Sequence, residues 1–94
     1  MNQLSFGDLI QAANAVENMP LVERRDLLLA AASTLLQLKE DFREMGAPPF
    51  DAIAELHCEL TAIAQNIFTT DDSSVSSAFL KAAEIIMNMR AALD

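Results

Sequence analysis

The residues best equipped for chemistry are His57 and Cys58, the single histidine and the single cysteine of a 94-residue chain. Adjacent positions on a helix diverge by about 100°, so these two side chains cannot converge on one proton or one ion without help from elsewhere. A zinc site takes three or four His, Cys or carboxylate ligands, and a di-iron bundle site takes Glu-x-x-His pairs from two helices. One histidine supplies neither. The expectation is no metal, no cofactor and no catalytic residue, with His57 a structural ring at the edge of an apolar face and Cys58 a small packing residue.

Three carboxylates, Asp51, Glu55 and Glu59, recur every fourth residue and so share one helix face. General acid–base work needs one of them desolvated, and nothing in the pattern buries any. A solvated face, or an acidic face for a partner, is what remains. Ser73 and Ser74 beside Asp71 and Asp72 place hydroxyls at a helix start, where capping accounts for them and phosphorylation is the chemical alternative. Glycine-rich phosphate loops, Ser-His-Asp sets and calcium loops are absent from the sequence.

Fourteen acidic residues against six basic ones give a formal charge of -8. The basic residues Arg24, Arg25, Lys39, Arg43, Lys81 and Arg90 are dispersed among carboxylates, which excludes a phosphate-binding face for nucleic acid and argues equally against an anionic membrane. The surface suits solubility or a basic protein partner. A lone cysteine makes no internal disulfide, the first residues lack the basic and apolar regions of a signal peptide, and no segment reaches membrane-spanning length, so a cytoplasmic protein is expected.

The elements that must position these groups are helical. Two glycines and three prolines leave too few turn formers for a sheet, while 52% hydrophobic residues without Trp or Tyr imply an aliphatic core. The spacing predicts an all-α, single-domain bundle over residues 1–94, with helices at about 5–18, 20–45, 49–68 and 74–92. Ser5 is placed to cap the first, whose inner face is Phe6, Leu9, Ile10, Ala13 and Val16, with Gln11, Asn14 and Asn18 outside. Met19-Pro20 ends it and starts the second at once, so the two should form an αα-hairpin or cross steeply.

The second helix is the expected central strut. Leu21, Leu28, Leu35 and Phe42 recur every seven residues, with Ala31, Leu38 and Met45 beside them and Leu29, Ala32 and Leu36 widening the stripe. Its polar strip is Glu23, Asp26, Ser33, Thr34, Gln37, Asp41 and Glu44, and Ser33-Thr34 is the place where a kink would form. Gly46 with Pro48-Pro49 closes it. The third helix presents Phe50, Ile53, Ala54, His57, Leu60, Ala64, Ile67 and Phe68 inward. Residues 69–74 make a polar turn, and the fourth helix buries Val75, Phe79, Ala82, Ala83, Ile86, Met89 and Leu93, with Lys81, Glu84 and Asn88 outside.

A bundle helix commonly buries three residues in seven, and the second carries more apolar positions than that. The surplus, Val22, Leu29 and Leu36, joined by Leu80 and Met87 of the fourth helix, is the expected contact of a homodimer. The functional expectation is a small acidic protein–protein interaction module: a regulator, adaptor or inhibitor. The alternative is an acidic mimic of nucleic acid, of phage or plasmid type, that blocks a basic DNA-binding groove with Asp51, Glu55, Glu59, Glu40, Asp41 and Glu44. An enzyme ranks third, with no residues to carry it.

Overall fold

The computed structural model describes residues 6–44 and 51–93. They form α1 (Phe6–Ala15), a 3-10 turn (Val16–Asn18), α2 (Leu21–Glu44), α3 (Asp51–Gln65) and α4 (Asp72–Leu93), with no strand among the described residues. Acidic residues stand in the first turns of α1, α2 and α4 (Asp8, Glu23, Asp72), and Arg43 and Arg90 sit in the last turns of α2 and α4, each charge complementing the helix dipole. The caps expected at Ser5, Gly46 and Pro48-Pro49, and the positions of Met45 and Phe50, lie outside the described residues.

Met19 is extended (φ -98°, ψ 128°), as a residue before proline should be, and the Pro20 carbonyl accepts the first bond of α2 from Arg24 N–H at 3.0 Å. The 24 residues of α2 are long enough, at ~1.5 Å each, to account for most of the 40 Å long axis of the molecule. The helix runs unbroken through Ser33-Thr34. Thr34 is buried rather than part of the polar strip, and its hydroxyl is satisfied there by donating back to the Ala30 carbonyl at 2.9 Å.

One contiguous apolar cluster draws on all four helices, from Leu9 and Val16 through Leu28, Leu35, Leu60, Phe79, Ile86 and Met89. The expected inner stripe of α4 is buried at each described side chain, with Ala78 added, and Leu93's side chain lies outside the described set. The arrangement around the core departs from the sequence reading. α2 packs chiefly on α3 and then on α4, whereas α1 packs on α4 and barely touches α2. The short link does not make a hairpin of α1 and α2. The helix that meets all three others is α4, not α2.

The face of α3 is rotated from the expected one. Ile53, Leu56, Leu60, Ala64 and Ile67 are buried while Ala54 is exposed, because Leu56 offers a larger side chain to the core at the same helical spacing. The helix also ends at Gln65, three residues early. Asn66 terminates it: its side chain donates to the Ala62 carbonyl at 2.8 Å, and its own carbonyl accepts Thr69 N–H and the hydroxyls of Thr69 and Thr70. That turn tucks Ile67 inward and leaves Phe68 79% exposed, not buried. α4 then starts at Asp72, with the Asp71 carbonyl accepting Val75 N–H at 3.2 Å, so Ser73 and Ser74 stand inside its first turn and not before it.

Candidate functional site

The five surplus apolar residues are all on the outside. Val22, Leu29 and Leu36 stand seven residues apart on α2, and Leu80 and Met87 seven apart on α4, between 43% and 56% exposed. On α2 they lie beyond Ala32, which is buried, and away from Leu28, Leu35 and Leu38. The widened stripe of α2 therefore divides: Ala32 belongs to the core, and Leu29 and Leu36 face solvent among Arg25, Glu40 and Arg43. Nearby ion pairs are local and exposed, Arg25 Nε to Asp26 at 3.6 Å and Arg43 Nη1 to Glu40 at 3.8 Å, a class that contributes little to folding.

The acidic stripe is only partly an open face. Asp51 has its side chain outside the described residues, Glu55 is exposed, and Glu59 accepts from Lys81 Nζ at 3.1 Å across the α3–α4 gap. Glu55, Leu56, Glu59, Lys81, Glu84 and Ile85 line a shallow groove there of about 330 Å³. Glu40, Asp41 and Glu44 sit on the other long helix, where Gln37 donates to Asp41 at 3.3 Å. Lys81 thus neutralises the stripe at Glu59.

His57 is half-buried on α3, and Thr61 Oγ1 donates to its backbone carbonyl at 2.8 Å. Cys58 is not a packing residue: it is a free, exposed thiol, on the side of α3 away from the buried Ile53, Leu56 and Leu60. Among the described residues no group of three or more His, Cys, Asp or Glu side chains is placed to hold a metal ion. Adding zinc, or a chelator, should leave the thermal melt within about a degree of the untreated protein, since a ligand that binds only the folded state would raise it. A shift of several degrees contradicts this reading.

A polar cluster built into the core is not legible from the spacing alone. Arg24, counted among dispersed surface cations, is 7% exposed. Its Nε donates to Met19 O at 3.0 Å, its Nη2 to Val16 O at 2.6 Å and its Nη1 to Asp72 Oδ1 at 2.6 Å, so one guanidinium ties the α1–α2 corner to the start of α4. Nearby, Ser76 Oγ donates to the Ala13 carbonyl at 2.9 Å and fixes α4 against α1. The signal was in the register: Arg24 stands four residues before Leu28 and seven before Ala31, on the core line of α2. Each guanidinium nitrogen is bonded within the chain, so the side chain braces this corner.

No described helix is long and apolar enough to cross a membrane. Comparison of the chain with protein-family models, with curated proteins and with solved structures finds no match.

Proposed function

We propose that this chain is a small acidic protein–protein interaction module, a regulator, adaptor or inhibitor that works by occupying another protein's surface and is itself a homodimer. The observation that carries this reading is the set of large apolar side chains outside the core, Val22, Leu29 and Leu36 on one long helix and Leu80 and Met87 on another. Burying a leucine gains roughly 1.5–3 kcal/mol, so two or three per subunit offset the cost of association when shape and polar groups match. Two-fold symmetry closes such a patch without forming fibres. The net charge of -8 suits a basic partner for the remaining surface, and the single free thiol suits a reducing, cytoplasmic setting.

The nucleic-acid mimic is the competing proposal, and the Lys81–Glu59 contact weighs against it because a mimic needs contiguous unneutralised charge. Salt separates the two: binding through an acidic face weakens steeply with ionic strength, binding through an apolar patch does not. Light scattering after size exclusion at ~100 μM, well above the micromolar dissociation constant of a ~8 kcal/mol contact, tests the homodimer. The parent should run at twice the chain mass, and Leu29→Glu should halve that mass with its melting temperature little changed. A monomeric parent, or a Leu29→Glu chain that unfolds, overturns the reading.

A further inference from the structure

The exposed stripe of α2 is complementary to its own reverse. Val22, Arg25, Leu29, Leu36, Glu40 and Arg43 are all exposed and, at ~100° per residue, lie within about 30° of one line along the helix. About the midpoint between Ala32 and Ser33, Leu29 mirrors Leu36, Arg25 mirrors Glu40 and Val22 mirrors Arg43. Each pair is equidistant from that midpoint along the axis. An antiparallel two-fold contact between identical helices sets residue i against its mirror on the other copy, so it is favoured where mirrored residues are complementary. Here the mirrored residues match in kind: leucine faces leucine, a cation faces an anion, and valine faces the aliphatic stem of an arginine, whose charged end reaches water. The charges are within reach of a second copy: the Arg25, Glu40 and Arg43 side chains are 46%, 54% and 79% exposed, and the pairs they make on their own helix, Arg25 with Asp26 at 3.6 Å and Arg43 with Glu40 at 3.8 Å, are long, exposed and readily exchanged.

Resting on the homodimer reading above, we infer that the occupant of this face is a second copy of the chain, docked with its α2 antiparallel to the first across an axis between Ala32 and Ser33. Leu29 and Leu36 of the two copies form the dry centre, and Arg25 of each copy meets Glu40 of the other at both ends. The contact leaves Leu80 and Met87 on α4 outside its central line, available to a different protein. Ser33, small and exposed beside the midpoint, lets the two helices approach where the axis passes.

The charges give a test that separates this pairing from dimerisation in general. Dissociation constants are measured by dilution at low salt for the parent, Arg25→Glu, Glu40→Arg, the double variant, and an equimolar mixture of the two single variants. Each single variant turns two attractive contacts into two repulsive ones, so its constant should rise about tenfold or more, given that one exposed pair accounts for only about two- to fivefold. The double variant should return to within about threefold of the parent. The mixture should form mixed dimers in preference to either variant alone, because both contacts are then again of opposite charge.

A second measurement uses no charge. In a Cys58→Ser background, Ser33→Cys should oxidise to a covalent dimer, because the axis brings the two copies of that position within disulfide reach, while Asn88→Cys on the outer face of α4 should not. A dimeric parent in which the charge variants show no mutual rescue and Ser33→Cys fails to cross-link overturns the antiparallel pairing alone. A parent that is monomeric overturns the dimer itself and the pairing with it.

Discussion

Replacing Arg24 with methionine is expected to lower the melting temperature by roughly 10–15 °C, the signature of about 2–3 kcal/mol in a domain of this size. Methionine keeps the apolar volume of the site, so the loss isolates the guanidinium. Two backbone carbonyls, Val16 O and Met19 O, lose a charged donor inside the α1–α2 corner, and hydrogen bonds to charged groups contribute roughly 1.5–3 kcal/mol before the gain from an apolar replacement is subtracted. The Asp72 contact is the smaller part. That carboxylate is 52% exposed and water replaces the arginine readily. Asp72→Asn, which keeps an acceptor oxygen, should therefore cost under about 1 kcal/mol. Arg24→Lys should recover little, because one ammonium cannot span three acceptors set by a planar fork. Thermal melts of the three variants decide the matter: an Asp72→Asn loss equal to that of Arg24→Met would make the ion pair, and not the carbonyls, the basis of the corner.

Arg24 also marks the limit of what local pattern encodes. Its main partners are five, eight and 48 residues away in the chain, and the last of these, Asp72, belongs to a helix whose docking no periodicity specifies. Where burial depends on one helix alone, the sequence was sufficient: the whole described stripe of α4 follows the seven-residue spacing of Val75, Phe79, Ala82, Ile86 and Met89. Where two registers offer similar apolar content, as with Ala54 and Leu56 on α3, neighbours choose, and the larger side chain goes in. Thr34 and Phe68 were misplaced for a shared reason. Short polar side chains bonding backward to carbonyls satisfy Thr34 inside a helix and end α3 at Asn66 ahead of Phe68. The surface residues Val22, Leu29, Leu36, Leu80 and Met87 were legible as surplus, because a helix with more apolar positions than one core line holds must leave some outside.

The largest single effect is expected at Phe79. Phe79→Ala should cost about 3–5 kcal/mol and lower the melting temperature by roughly 15–25 °C. The side chain is fully buried on α4, the helix packed against the other three, and it is the largest fully buried one among the described residues. Removing the ring leaves a void whose walls come from separate helices, which cannot all close inward without losing their own packing. A domain of this size holds only ~5–14 kcal/mol in total, so the variant should sit close to the threshold of folding at 37 °C. Phe68 is the internal control. It has the same side chain but stands 79% exposed in the turn after α3, and Phe68→Ala should change stability by under ~0.5 kcal/mol. Denaturant titrations of both variants give the comparison, since a shift in midpoint at constant slope reports stability alone. A Phe68→Ala loss approaching that of Phe79→Ala would put Phe68 against the core and reinstate the inward face of α3 that the spacing predicts. A Phe79→Ala loss below ~1.5 kcal/mol would mean that the helices around α4 collapse freely, contrary to a core in which α4 is the common contact.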